Sequence, residues 1–209
     1  SINTLIMTLL SLVIAVPFGI FSAIYLVDYA KRGNKFVKVI RLTTETLSGI
    51  PSIVYGLFGF LFFVTYLKWG NSILAGAFTL AIMILPLIMR TTEEALKVVS
   101  TSYREASLGL GATKFQTLYK VILPSAIPGI LSGIILSIGR VVGESAAILL
   151  TAGSVAKMPK GIFSSGRTLT VHSFLVEQEA GDIAEAAAVG IVLIVIILLL
   201  KYCRGFLAL

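Results

Sequence analysis

Charge is scarce in this sequence. Asp, Glu, Lys and Arg make up 13% of its 209 residues, roughly half the quarter usual in soluble domains, which excludes an ordinary water-soluble domain. Cysteine is almost absent: Cys203 stands alone and excludes an internal disulfide. Histidine is equally sparse. His172 has no second ligand at metal spacing, so no metal site is expected, and the residue is expected to face solvent in an external loop. No Gly-x-x-x-x-Gly-Lys-Ser/Thr loop occurs, so the chain does not itself hydrolyse ATP. No nucleophile–base set suggests catalytic residues, and no cofactor is implied. Aromatic residues do not interleave with basic ones, which argues against nucleic acid despite the formal net charge of +7. A basic n-region is also missing before the first apolar run, and that run is too long for a signal peptide.

What the sequence has is apolar length. Hydrophobic residues make up 57% of it, and the mean hydropathy is +1.00. A bilayer core of about 30 Å needs about 20 helical residues. The runs over 5–27, 72–89, 125–151 and 183–200 read as spans. A further apolar stretch reaches Leu67 after an amphipathic start at Phe36, Val37, Val39 and Ile40. Five helical spans follow, forming an all-α integral membrane protein over residues 1–209 as a single domain. The first residue is Ser rather than Met, and the expectation is that a natural N-terminus with a further helix precedes it. Pro17 lies inside the first run. Gly49 and Pro51 predict a bent or interrupted helix, which membranes tolerate where the break faces protein or a watery cavity. Ser48 and Ser52, four apart, are expected on one face, either lining that cavity or packing helices together. Lys68-Trp69-Gly70-Asn71 reads as a short turn with an interfacial aromatic.

Basic residues set the orientation. Lys31, Arg32, Lys35, Lys38, Arg41, Arg90, Lys97, Arg104, Lys114, Lys120, Lys201 and Arg204 fall on one side, against Lys68, Lys157, Lys160 and Arg167 on the other. The richer side is cytoplasmic, so the first residue lies outside, the end lies inside, and residues 91–124 form a cytoplasmic loop.

That loop carries a spaced pattern. Glu105-Ala106-Ser107 is followed after three residues by Gly111, and nine residues later by Val121-x-Leu123-Pro124. Ser102-x-x-Glu105 reads as a capping box opening a helix. Gly109 or Gly111 can supply the positive φ that ends it, Ala112 permits close approach, and Leu108 and Leu110 offer apolar anchors. The pattern resembles the EAA motif of membrane-spanning subunits of ABC importers, with Ser107 in place of the second Ala and Val121 in place of Ile. The resemblance implies two short helices meeting around the Gly and a turn, through Glu105, Ala106, Leu108, Gly109, Leu110, Gly111 and Ala112, that docks on an ATPase subunit.

The run over 125–151 contains Gly133, Ser137, Arg140, Glu144 and Thr151 at helical steps, with apolar Ile148 in the gap. They predict one polar stripe, with Arg140 near the middle of the span. Lipid exposure there would cost at least ~3 kcal/mol, so Arg140 is expected to face protein or water. Its planar fork suits oxyanions, and Glu144, one turn on, can hold and neutralise it. A structural ion pair is the alternative. Arg90 is either part of the pathway or a mark of the membrane boundary. Gly129-x-x-x-Gly133 and Gly139-x-x-x-Gly143 fit close helix packing.

Three stretches narrow the resemblance. Ser48-Gly49-Ile50-Pro51-Ser52-Ile53-Val54-Tyr55-Gly56, Leu85-Pro86-Leu87-Ile88-Met89-Arg90-Thr91-Thr92-Glu93-Glu94, and Gly139-Arg140-Val141-Val142-Gly143-Glu144-Ser145-Ala146-Ala147 look like the PstA-type permeases of phosphate-specific ABC importers. Ser145 and Ala147 stand where Thr and Pro are common. The resemblance implies a type I ABC importer transmembrane domain in a prokaryotic cytoplasmic membrane, and associates Arg90, Arg140 and Glu144 with phosphate passage. Ser137 joins them through the stripe. It also implies a PstC-type permease partner, PstB-type ATPase subunits and a PstS-type extracytoplasmic binding protein. Two alternatives stand beside it: the same architecture importing sulfate or molybdate, and an ATPase-independent channel or secondary transporter. Against the last, no clear internal repeat is found.

Overall fold

A computed structural model describes residues 2–30, 35–156, 161–181 and 183–207. Lys31, Arg32, Lys157 and Lys160, which enter the charge count, lie outside the described residues, as do the side chains of Cys203 and Arg204. Among the described residues the regular structure is entirely helical. Its helices are α1 (Ile2–Ile24), α2 (Lys35–Ser48), α3 (Ser52–Gly59), α4 (Ile73–Val98), α5 (Thr101–Gly109), α6 (Lys114–Thr117), α7 (Leu123–Val142), α8 (Ala146–Thr151), α9 (Leu169–Leu175) and α10 (Ile183–Leu207). Turns of π-helix extend α1, α3 and α9 and join α6 to α7.

Among the described residues four helices are long and apolar enough to cross a membrane: Ile2–Tyr29, Ile73–Val98, Lys114–Val142 and Ile183–Tyr202. The pair Lys35–Ser48 and Ser52–Tyr66 supplies a fifth span at most, and it bends by 102°. The bend follows from Gly49 and Pro51, as expected. It also separates Ser48 from Ser52, which therefore do not share a helical face. Ser48 instead donates to its own helix at Glu45 O, 2.7 Å away.

Helix α4 is the spine. Its span is 67% buried, against 11% for that of α10, and Leu80, Met83, Ile84 and Ile88 form the centre of the largest apolar cluster. Ser72 caps it by accepting from Ala75 N at 3.2 Å. Its first amides, on Ile73 and Leu74, donate to Ser164 O and Ile162 O at 3.0 Å, so the orphan donors of a buried helix start are met by the connection after α8. Neighbours reach α4 through small residues. A Cβ at Gly19 of α1 would lie 2.7 Å from Ile88 Cγ2, one at Gly59 of α3 2.1 Å from Thr79 Oγ1, and one at Gly133 of α7 2.1 Å from Thr91 Oγ1. Lipid tails are as apolar as the helix surfaces, so contact of this closeness is what holds membrane helices together. The expected packing role of Gly129 and Gly133 is therefore observed, on Ala95 and Thr91. Gly139 meets nothing within 4 Å, and Gly143 meets only carbonyls of its own helix, so the second glycine pair does not pack helices.

Two expected boundaries move. Helix α4 does not end at Arg90 but runs on to Val98, because Thr91 to Leu96 continue its buried face with Thr92, Glu93 and Leu96. The run over 125–151 is two helices, with α7 ending at Val142 and α8 opening at Ala146. His172 also departs from expectation: it is half-buried, with Nε2 3.5 Å from Glu185 Oε1.

Substituting Gly133 by Leu is expected to destabilise the domain by about 1–3 kcal/mol through overpacking. Gly190→Ala, which meets nothing within 4 Å, is expected to stay within about 0.5 kcal/mol. Thermal unfolding in detergent micelles measures both.

Candidate functional site

Helix α5 begins one turn beyond the end of α4 and contains no buried residue. Its cap is Ser100, whose Oγ accepts from Ser102 N at 3.3 Å. The expected box at Ser102 and Glu105 is not formed, because the helix has already started at Thr101. The capping box lies one helix later. Thr113 Oγ1 accepts from Gln116 N at 3.2 Å, and Gln116 Oε1 accepts from Thr113 N at 2.9 Å. Between the helices Gly111 has φ +86°, a value L side chains rarely adopt, and Ala112 N returns to Ser107 O at 3.2 Å. Ser107 and Thr117 join their hydroxyls at 2.9 Å across the hairpin, a bond that an alanine at position 107 would forgo. Leu110 is 90% exposed at the tip, and Leu108, Phe115 and Tyr119 are exposed beside it. This is a firm turn presenting apolar side chains.

The turn is tied to the membrane helices by Arg104. Its guanidinium pairs with Asp28, at the end of the first span, and donates to Leu96 O in the last turn of α4. Both partners are largely shielded, with side-chain exposures of 24% and 12%. A cation at a helix C-terminus is also favoured by the helix dipole. Below this pair Leu96, Leu118, Ile122, Ala126 and Ile130 form one apolar cluster with Ile20, Ile24 and Val27 of the first span.

The residues expected to share a polar stripe have separate fates. Ser137 is fully buried and donates to Gly133 O at 2.9 Å. Thr151 is buried in α8 and donates to Ala147 O at 2.7 Å. The α7–α8 break at Gly143 to Ser145 is what divides the stripe. Glu144, at that break, accepts from Ala147 N at 3.2 Å and so engages the start of α8. No ion pair joins it to Arg140 among the described residues, so the expected neutralisation of Arg140 is not formed. Arg140 is in the last turn of α7 rather than mid-helix. It borders a cavity of about 310 Å³ with Leu87, Ile135, Leu136, Gly139, Ile197, Leu200 and Lys201. Tyr55, whose hydroxyl donates to Leu47 O across the α2–α3 bend, lies within electrostatic range of Arg140.

Arg90 lies elsewhere. Its Nε donates to Glu94 Oε1 at 3.1 Å, an exposed pair one helical turn apart. It borders a second cavity, of about 200 Å³, with Arg41, Glu45, Glu93, Glu94 and Lys97. There Glu93 is at ion-pair distance from Arg41 (2.8 Å) and Lys97 (2.7 Å). The structure therefore does not bring Arg90 and Arg140 into one cavity. Sequence reasoning missed Asp28, Glu93 and Lys201. The i, i+4 spacing of Glu93 and Lys97 was a visible signal; the partners of Asp28 and Lys201 lie on other helices.

Comparison with known proteins supplies the wider frame. The family profile described as "binding-protein-dependent transport system inner membrane component" matches residues 15–208. The chain is 37% identical over 201 residues to a probable ABC transporter permease protein, YqgI, of Bacillus subtilis, covering 90% of this chain and 68% of that one. It is 34% identical over 198 residues to the phosphate transport system permease protein PstA 1 of Mycobacterium tuberculosis, covering 93% and 64%. The chain thus spans about two thirds of the length of these relatives. Among solved structures, an inward-facing form of the MetNI methionine ABC transporter superposes with a TM-score of 0.75 at 21% identity, covering 99% of this chain and 91% of that one. An amino acid ABC transporter gives 0.71 at 20% identity.

Arg104→Gln leaves the Asp28 carboxylate shielded without its cation, and is expected to cost about 1–3 kcal/mol. Adding Asp28→Asn is expected to return part of that loss, since removing both charges also removes their desolvation cost. Protease cleavage within residues 99–113, timed for the two variants, reads the difference.

Proposed function

The chain belongs to the family of binding-protein-dependent transport system inner membrane components, a multi-pass membrane subunit with the fold of type I ABC importer transmembrane domains, and we propose that its cargo is inorganic phosphate. In this reading residues 1–209 are one transmembrane domain in which 91–124 is the loop that receives motion from an ATPase. The chain pairs with a second, homologous permease and docks ATPase subunits in the cytoplasm. It receives phosphate from an extracytoplasmic binding protein. It binds its cargo without altering it chemically, and ATP hydrolysis belongs to the ATPase subunits.

The observation that carries the phosphate reading is Arg140. It borders a cavity among membrane-spanning helices whose lining, among the described residues, holds no carboxylate, and intramembrane charges are functional by default. A relative named as a phosphate transport permease at 34% identity supports the same cargo. Glu144 stands next to this cavity in sequence and is proposed to tune the passage, with Ser137 holding the helix behind it. Arg90, paired with Glu94 in its own cavity, is proposed as a second anion contact nearer the cytoplasm.

Docking is proposed through Leu108 and Leu110 as apolar anchors, with Glu105 and Ala106 exposed on the helix before them and Gly109, Gly111 and Ala112 shaping the turn. ATPase movement would then reach the membrane through the hairpin. The orientation supported by the basic-residue count puts residue 2 outside and α10's end inside.

Reconstitution with the second permease, the ATPase subunits and the binding protein tests the cargo. Phosphate-loaded binding protein is expected to stimulate ATP hydrolysis severalfold; stimulation by sulfate and not by phosphate would overturn the assignment. For docking, Gly111→Arg forces a left-handed backbone on a residue that resists it by about 1–2 kcal/mol. Recovery of ATPase subunits with the purified permease is expected to fall about tenfold on that loss. Undiminished recovery would remove the turn from the interface.

A further inference from the structure

The cavity beside Arg140 has a second cation. Lys201 of α10 lines it, and the other lining residues, Leu87, Ile135, Leu136, Gly139, Ile197 and Leu200, are all apolar. Its volume of about 310 Å³ falls within the range of small-molecule sites.

Depth along the helices puts the lining of this cavity on α4 and α10 away from the outer surface. Leu87 is fourteen residues into α4 and Ile197 fourteen residues into α10, each about 21 Å along its helix at 1.5 Å per residue. Two helices that enter independently therefore reach the cavity at matching depth, beyond the middle of a hydrocarbon core about 30 Å thick.

The two cations also lie on helices of opposite direction. Thr170, beginning α9, donates to Val142 O at the end of α7, and Ser173 donates to Ala186 O near the start of α10. The end of α7 and the start of α10 are therefore at the same end of the bundle, and the two helices, which pack together, run antiparallel. Helical side chains lean toward their own N-terminus. On the antiparallel pair Arg140 therefore leans toward the cytoplasmic end of the cavity and Lys201 leans back from that end, both lining the same space. Arg140 is partly buried and Lys201 exposed; two positive charges lining one cavity repel unless an anion joins them, and no carboxylate is present in the lining among the described residues.

We propose that Arg140 and Lys201 together bind one tetrahedral phosphate group in this cavity, the guanidinium giving paired donors and the ammonium a second charge. The role of Lys201 rests on the reading of Arg140 as a pathway residue. The phosphate group has two possible sources: inorganic phosphate in transit, or the headgroup of an anionic lipid whose chains lie along Leu136 and Ile197. Arg is suited to grip a tetrahedral oxyanion in one orientation, and Lys to follow it as a mobile point charge. A Lys at the inner end of the cavity gives an anion leaving Arg140 a next place to go.

The test is amine acetylation of the assembled wild-type complex in non-ionic detergent, followed residue by residue by mass spectrometry. Inorganic phosphate at about ten times its half-effective concentration is expected to slow acetylation of Lys201 about tenfold, while exposed Lys38 and Lys68 keep their rates. In Arg140→Gln the protection is expected to disappear. Protection by short-chain phosphatidylglycerol and not by inorganic phosphate, again lost in Arg140→Gln, supports the site and assigns the lipid as its source. A Lys201 rate unmoved by either compound overturns the proposal. In proteoliposomes carrying the whole complex, Lys201→Met is expected to raise the phosphate concentration for half-maximal uptake severalfold, and Lys201→Arg to restore it; unchanged uptake in Lys201→Met would remove Lys201 from the pathway. A wild-type complex that takes up no phosphate would sink the transport reading alone, because the labelling result does not depend on uptake.

Discussion

Close approach of small residues to α4 is the contact on which the rest of the domain depends. Gly19, Gly59 and Gly133 bring α1, α3 and α7 so near that a single added carbon would collide with Ile88, Thr79 or Thr91. In water, apolar burial would draw such helices together; in lipid it cannot, and dispersion across close-packed surfaces must substitute for it. The arrangement explains why α4 can be buried on most sides while α10 is largely open. It also explains why polar groups near α4 are satisfied locally. Thr79 donates to Ala75 O, Ser137 to Gly133 O and Thr151 to Ala147 O, each within its own helix; Thr92 Oγ1, buried in α4, is the exception and has no partner among the described residues.

Charges occupy the places this packing leaves. Asp28 and Arg104 close the junction between the first span and the hairpin. Glu93 gathers Arg41 of α2 and Lys97 of α4, holding the amphipathic helix against the spine. Those charges are compensated within the fold. The cavity with Arg140 and Lys201 is different, since its lining supplies cations and no carboxylate. The contrast between balanced and unbalanced clusters, more than the presence of charge as such, is what singles out a candidate anion site.

Much of this was legible in the sequence, and the exceptions have physical causes. Hydropathy revealed the spans, and Gly49 and Pro51 revealed the bend, because both are local properties of the chain. Gly111 was legible as the positive-φ residue of the hairpin, although Gly109 fitted the same pattern. The capping box was misplaced because Ser102-x-x-Glu105 and Thr113-x-x-Gln116 satisfy one rule equally, and the earlier cap at Ser100 decides between them. Arg90 looked like a helix end because polarity rises there; α4 nevertheless continues, since a helix in a bundle ends where its buried face ends and not where the lipid does. The break after Val142 was hidden because one glycine in an apolar run is an ambiguous signal. Without it, Arg140 and Glu144 fall on one face; with it, Glu144 turns to the amide of Ala147. The place of Lys201 on the Arg140 cavity is invisible in the sequence because it depends on the antiparallel packing of helices sixty residues apart.

The helix from Lys114 to Val142 is continuous over 29 residues, about 43 Å at the usual rise. It begins at the exposed hairpin and finishes two residues after Arg140. Displacement at one end of such a rod can reach the other, with the π-helical turn Leu118–Ile122 and the prolines Pro124 and Pro128 as its places to bend. Pivoting about its midpoint by about 10° would carry each end about 4 Å, in opposite directions, over that length. Gly129 and Gly133, set against Ala95 and Thr91, lie just past the midpoint and leave the rod little room to slide. Were this helix to tilt as one body, the turning point would be a pair of missing methyl groups.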